Sequence, residues 1–329
     1  MDRRALLNPI VAVVGPTASG PTALSIALAR ALNAEILCCD SMQIYRDLDI
    51  GTAKPTAAEQ AAVPHHLVDI ADPRTPFSAA DYVSAASAVL DDLAARGKNA
   101  VLCGGTGLWL ASLRRGSADA ERIPGKTVVR EALEAEAEKE GGAAALHARL
   151  AAVDPASAAA IHPNNIRRVI RALEVYLVTG RPKSDWDRAT RAHPPACDVR
   201  PIGIRFPDRA RLYARIDARV DAMIAAGLVE ETARLYAMGA LPAGSTAAQA
   251  IGYKEISRAL RGECTLAEAT ADLKTATRRY AKRQMTWFSA DESVFWLDAT
   301  DGEGKEKSTE TLCAEALAYL RESAPALFH

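Results

Sequence analysis

The stretch PIVAVVGPTASGPT, residues 9–22, joins an unbroken apolar run to a glycine-rich turn. A strand with one wet face alternates polar and apolar side chains; the run at 9–14 does not, so it predicts a strand buried on both faces. After the turn, an alanine- and leucine-rich segment at 21–33 predicts a helix. Strand, Gly15-Pro-Thr-Ala-Ser-Gly20 turn and helix have the outline of a phosphate loop. In such a loop successive backbone N–H groups make a concave anion site, and the helix dipole adds to it. A strand–helix turn that merely tolerates glycine and proline shares the outline. Pro21 is sterically acceptable in a first helical turn. It stands where the motif carries lysine, however, and removes both an ammonium group and an amide donor.

Outward from this turn, strands alternate with helices. EILCC at 35–39 reads as a strand ending on Asp40, HHLVDI at 65–70 as another and NAVLCGG at 99–105 as a fourth; 78–97 reads as a helix. That alternation predicts an α/β fold with a parallel sheet and right-handed crossovers. Ligands of such sheets bind beyond the carboxyl ends of the strands, where Asp40 and the Gly104-Gly-Thr-Gly107 turn both fall. Near Ser117 the texture changes: 127–180 is helical and lacks strand-like runs, and PIGIRF at 201–206 returns as a strand. The expected organisation is a core at 1–117, an all-helical insertion at 118–196, and the rest of the core at 197–329. Helices are expected at 208–226, 228–238 and 265–288, and a late strand at 293–299.

With 329 residues, 49% hydrophobic and 25% charged, the chain has the composition of a soluble globular protein. No run reaches the roughly 18 apolar residues a membrane span needs. The apolar run near the N-terminus leads straight into the glycine turn without a small-residue cleavage site, so the cytoplasm is the expected compartment. Cys38, Cys39, Cys103, Cys197, Cys264 and Cys313 show no zinc spacing and read as core thiols. A net charge of -1 leaves any polyanion site to local clusters of Lys and Arg.

Several segments carry chemistry. Asp40 can take a proton from a nucleophile held over the sheet edge, although an Asp capping a turn with Ser41 has the same sequence. Ser41 and Gln43 offer polar groups to a base edge. Gly51-Thr-Ala-Lys54-Pro55 is a further tight turn with one cation. Thr106 can donate to a phosphate or a base. Arg167, Arg168 and Arg171 share a predicted helix, and Arg278, Arg279, Lys282 and Arg283 another, where i,i+4 spacing makes one broad positive face. Such runs are often solvated faces; two of them on a near-neutral chain favour a phosphate-backbone partner.

Taken together, GPTASG (15–20), DSMQIYRDLDIGTAKP (40–55), GGTGLWL (104–110), RRVIRALEVYLVTGRP (167–182), QAIGYKE (249–255) and RRYAKRQMTWF (278–288) resemble the tRNA dimethylallyltransferases, over roughly residues 9–290. The resemblance implies a core related to P-loop kinases, with the helical insertion gripping the anticodon stem-loop. It implies transfer of dimethylallyl from its diphosphate to N6 of adenine 37, in tRNAs reading codons that begin with U, with Mg2+ assisting. Asp40 matches the general base and Thr106 a contact near adenine or phosphate. Gly15, Thr17, Ala18, Ser19, Gly20, Pro21, Thr22 and Arg219 match the diphosphate site, and Thr22 the metal contact. Asp40, Ser41, Met42, Gln43, Thr106, Arg130, Arg167, Arg168, Arg171, Gln249, Gly252, Tyr253, Lys254, Arg278, Arg279, Lys282 and Arg283 match tRNA-contacting positions, with Ser41, Met42 and Gln43 lining the adenine pocket. A monomer is expected. This chain departs from the family at Trp109, where tyrosine is usual, and at Pro21, which predicts weakened transfer. A tRNA-binding pseudoenzyme is therefore the runner-up reading. A small-molecule P-loop kinase fits less well, because kinases depend on the same lysine.

Overall fold

The computed structural model describes residues 8–116, 128–192 and 195–328. Among them run β1 (Ile10–Val14), α1 (Pro21–Ala31), β2 (Ala34–Cys38), α2 (Ala57–Ala62), β3 (His65–His66), α3 (Ala79–Ala95), β4 (Asn99–Cys103) and α4 (Gly107–Arg115). Then come α5 (Val128–Ala137), α6 (Gly142–Val153), α7 (Pro155–Ala160), α8 (Ile166–Thr179) and α9 (Lys183–Ala192). The chain continues through β5 (Val199–Arg205), α10 (Arg209–Ala225), α11 (Leu228–Ala237), α12 (Tyr253–Leu260), α13 (Leu266–Ser289), β6 (Phe295–Asp298) and α14 (Thr309–Ser323). The chain divides into two compact units: Arg115–Ala196 with Ser78–Ala80 form one, and the remainder the other.

In the larger unit the strands make one parallel sheet in the order β3-β2-β4-β1-β5-β6. All five residues of β1 are buried, as an unbroken apolar run requires. Helix α1 covers the sheet with Leu24, Ser25, Leu28 and Ala29, two i,i+4 pairs side by side on one face. The register sets Val13 against Cys103 and Cys38 against Cys103. The carboxyl ends of β1, β2 and β4 therefore finish side by side, and the loops after them emerge together. Helices α2 and α13 start with reciprocal capping boxes, Thr56 with Glu59 and Thr265 with Glu268. No helix among the described residues is long and apolar enough to cross a membrane.

One strand is shorter than expected. Instead of 65–70, β3 covers only His65–His66, because Leu67 and Asp69 adopt left-handed φ of 63° and 59°. The turn delivers the Asp69 carboxylate to Lys54 and its amide to the Gln43 carbonyl. Trp109 is buried, with its ring stacked on Tyr82 at 4.4 Å and tilted against Phe77 at 5.8 Å. The indole thus fills core space as part of an aromatic cluster. Cys38, Cys39, Cys197 and Cys313 are buried, Cys103 and Cys264 partly so, and all six are free thiols.

The helical unit has its own core of Leu133, Leu146, Leu150, Ala158, Val169, Ile170, Ala172 and Leu173. Truncating the fully buried Leu173 to Ala would cost about 2–5 kcal/mol. Glu174, also wholly buried, accepts from Arg130 at 2.5 Å and from Arg171 at 2.7 Å.

Candidate active site

The first glycine turn is shaped by what cannot fit. A Cβ on Gly15 would meet the Ile204 carbonyl and the Ser19 hydroxyl at 2.8 Å each. Ala18 and Gly20 take left-handed φ of 67° and 94°, and Pro21 opens α1 as its first residue. Among the described residues no backbone bond occupies the amides of Ala18, Gly20 or Thr22, so they remain for an anion. The Thr17 amide is different: it donates to Gln284 Oε1 at 2.9 Å. From behind, Arg215 Nε donates to the Ala18 carbonyl at 3.0 Å.

The second turn approaches equally closely. A Cβ on Gly104 would collide with the Cys39 backbone, and one on Gly105 with Gln284 Nε2. That close approach lets Thr106 reach the loop after β2. Its amide donates to the Cys39 carbonyl at 3.1 Å, and its hydroxyl accepts from the Ser41 amide at 3.0 Å. Asp40 Oδ1 accepts from the Met42 amide at 2.8 Å. Burial pushes the Asp40 carboxyl above its ordinary value, against the pull of backbone donors and of Arg219. Arg219 itself, from α10, is held below its ordinary value by the same enclosure and has Asp40 as its charged neighbour.

Two cavities adjoin here. The larger, about 840 Å³, is lined by the phosphate loop, Thr22, Cys103 and Gln284 among others. The smaller, about 270 Å³, is lined by Ser41, Met42, Gln249, Ile251 and Arg283 among others. Both are lined by Thr17, Asp40, Thr52, Arg219, Met223 and Tyr280, which therefore form the constriction between them. A guanidinium and a carboxylate, those of Arg219 and Asp40, thus line both spaces. Tyr280 and Gln284 were not read from the sequence. The signal was their i,i+4 spacing in RRYAKRQ, which puts both on one helical face.

Several expected contacts are corrected by their partners. Gln43 does not present a free amide to a base, because Nε2 donates to the Thr52 and Ala53 carbonyls and Oε1 accepts from the Cys38 thiol. Lys54 brings no free charge either; it donates to the Tyr45 carbonyl at 3.0 Å and to Asp49 and Asp69. Tyr253 is wholly buried and Gly252 is buried, so neither presents a surface to RNA. The Tyr253 hydroxyl donates to Glu231 at 2.6 Å, and that carboxylate collects the amides of Asp49, Ile50 and Gly51. Arg278 is paired with Asp217 on α10 at 2.9 Å. Within the helical unit, Arg130 and Arg171 are engaged by Glu174, whereas Arg167 and Arg168 are both exposed on α8. Lys254, Gln249, Arg279, Lys282 and Arg283 keep solvent-accessible surface.

No cluster of three or more His, Cys, Asp or Glu suited to a metal occurs among the described residues. The larger cavity instead offers the Thr22 hydroxyl as an oxygen donor beside the space for phosphate. That donor fits Mg2+, which keeps most of its shell as water and substrate phosphate.

The IPP transferase family model matches residues 43–291. A tRNA dimethylallyltransferase of Roseiflexus sp. is 51% identical over 298 residues, covering 89% of this chain and 94% of the relative. That of Syntrophobacter fumaroxidans is 48% identical over 296 residues, covering 90% and 85%. Among solved structures, the full-length tRNA isopentenylpyrophosphate transferase of Bacillus halodurans superposes with a TM-score of 0.67 at 41% identity, covering 98% of this chain and all of that one. A eukaryotic dimethylallyltransferase acting on tRNA gives 0.80 at 27% identity, covering 96% and 80%.

Proposed function

The chain belongs to the IPP transferase family of tRNA dimethylallyltransferases, and from that membership we propose that it moves a dimethylallyl group from dimethylallyl diphosphate to N6 of adenine 37 of a tRNA, releasing diphosphate. The observation that carries this reading is the shared constriction, where Asp40 and Arg219 stand between the two cavities. The larger cavity takes the diphosphate, against the amides of Ala18, Gly20 and Thr22 and the Arg219 guanidinium. The smaller takes adenine, flipped from the anticodon loop because a stacked base cannot be reached.

An exocyclic amine is a weak nucleophile, so it needs a base at its proton and a stabilised leaving group. Asp40 is that base, and enclosure makes its carboxylate more basic than a solvated one. Its second task is to hold the Met42 amide, which fixes the loop lining the adenine space. Thr106 lines neither cavity; its hydroxyl accepts from the Ser41 amide and so steadies the loop that lines the adenine space. The Thr22 hydroxyl would hold Mg2+, which would supply charge neutralisation to the diphosphate. Tight tRNA binding falls to Arg279, Lys282 and Arg283, with Arg167 and Arg168 contacting the stem-loop. The protein acts as a cytoplasmic monomer on tRNAs reading codons that begin with U.

The test is incubation with dimethylallyl diphosphate, Mg2+ and an anticodon stem-loop while the RNA mass is followed. A gain of one prenyl group supports the transferase. RNA binding without a mass gain would favour the pseudoenzyme, and consumption of ATP the kinase.

A further inference from the structure

Tyr280 lies on α13, one turn before Gln284, whose side chain is bonded to both glycine turns. The ring is therefore held at a fixed place relative to the phosphate loop and the Thr106 loop. It lines both cavities, together with Asp40 and Arg219. Burial and the Asp40 charge hold its phenol above the ordinary value, so it stays neutral, and its hydroxyl lies beside that of Thr106. Arg283, which lines only the smaller cavity, places its guanidinium 5.6 Å from the ring centroid. The ring thus already meets one cation, and it also lines the larger cavity that would hold the diphosphate. Met223, from α10, adds a polarisable thioether to the same constriction.

The transfer reaction proposed above puts a particular demand on that spot. As the C1–O bond of the allylic diphosphate breaks, its electron pair leaves with diphosphate and positive charge spreads over the allyl carbons. The N6 lone pair then closes the C1–N bond, and the N6 proton passes to Asp40. A charge on carbon has no polar hydrogen to donate, so hydrogen-bond acceptors serve it poorly, whereas the negative face of an aromatic ring serves it well. Any water at the same place captures C1 instead, yielding dimethylallyl alcohol and leaving its proton with the diphosphate.

Resting on that reaction, we propose that the Tyr280 ring is a catalytic surface that stabilises the allylic carbon during transfer and keeps water from it. Tyr280→Phe and Tyr280→Leu separate ring from hydroxyl. Each is compared with the wild type in the presence of stem-loop and Mg2+, measuring prenylated RNA and dimethylallyl alcohol together. The ratio of the two products does not depend on how much of a variant is folded. Y280F should hold the wild-type ratio and rate, while Y280L should lower the ratio by admitting water and slow the formation of both products together on the order of tenfold, the scale of one desolvated cation–π contact. A Y280L protein with the wild-type ratio would overturn the proposal, and so would a Y280F protein that falls as far as Y280L. Wild-type protein that makes neither product would sink the transfer reaction itself.

Discussion

Gln284 accepts the Thr17 amide at 2.9 Å and, through the other end of the same carboxamide, donates to the Gly105 carbonyl at 3.2 Å. One buried side chain of α13 thereby spans the phosphate loop and the turn that carries Thr106. The helix that presents Arg279, Lys282 and Arg283 outward is the same helix that fixes the chemistry inward. Gly105 is glycine because any Cβ there would displace that carboxamide.

Gln284→Leu keeps most of the volume but leaves the Thr17 amide without its acceptor, a loss of about 1–3 kcal/mol for a buried donor. We expect a lower thermal midpoint and a raised KM for dimethylallyl diphosphate, with tRNA affinity close to wild type. Calorimetry and initial rates check both. An unchanged midpoint together with an unchanged KM would mean the loop holds its shape without Gln284.

Asp40 yields a pH prediction whose sign follows from burial. Its folded value lies above the ordinary 3.8, so the fold favours the protonated form, and ionisation costs stability as pH rises. Catalysis needs the carboxylate, so kcat/KM falls as pH drops through a value higher than that of a solvated aspartate. Asp40→Asn should therefore be more thermostable near neutral pH and slower by about 10²–10⁴-fold, with RNA affinity nearly kept. Arg219→Gln removes the cation that draws Asp40 down, and its acid limb should move to higher pH. A limb that stays put in that variant would disconnect the two residues.

The sheet and the outline of the site were legible in the sequence because they rest on local signals. The apolar run at 10–14, the glycines at 15 and 20, and Asp40 at a strand end each follow from backbone chemistry next to them. What the sequence hid was pairing across distance. Gln43 and Lys54 look like free binding groups until the turn at Leu67–Asp69 and the carbonyls of 52 and 53 engage them. Tyr253 reads as an exposed motif residue, yet its ring packs where a Cβ on Gly51 would stand and its hydroxyl serves Glu231 from a different helix. Tyr280 and Gln284 escaped for the opposite reason: they sit inside a basic run whose charges draw the eye outward.

That run does not act as one patch. Arg278 is tied to Asp217, and Lys274 one turn earlier to Asp221, so both brace α13 against α10. Replacing Arg279, Lys282 and Arg283 with Gln should weaken tRNA binding and flatten its log–log salt slope by about 0.7–0.9 for each phosphate no longer neutralised. Arg278→Gln should lower the thermal midpoint and leave the slope nearly alone. Binding titrations at several salt concentrations separate the two, and a slope that falls equally for Arg278→Gln would return it to the RNA-contacting set.

Pro21 poses the sharpest question about rate. A lysine at that position places a point charge on the leaving diphosphate, and losing one donor that acts in the transition state costs about 10²–10³ in rate. Lys54 does not replace it, since Tyr45, Asp49 and Asp69 already surround its ammonium group. Among the described residues, Arg219 is the cation at the constriction, where Asp40 is its charged neighbour. If Arg219 carries the charge alone, Pro21→Lys should raise prenylation by roughly two orders of magnitude at saturating Mg2+, on the same transition-state estimate, with little change in tRNA affinity. Arg219→Gln should then cripple the natural chain far more than the Pro21→Lys variant, because the second background holds a spare cation. A double-mutant cycle on kcat measures that coupling directly. Additive effects would mean that the two positions act on different oxygens. Equal rates for the natural chain and the Pro21→Lys variant would mean that Arg219 and the metal already supply all the charge the diphosphate can use.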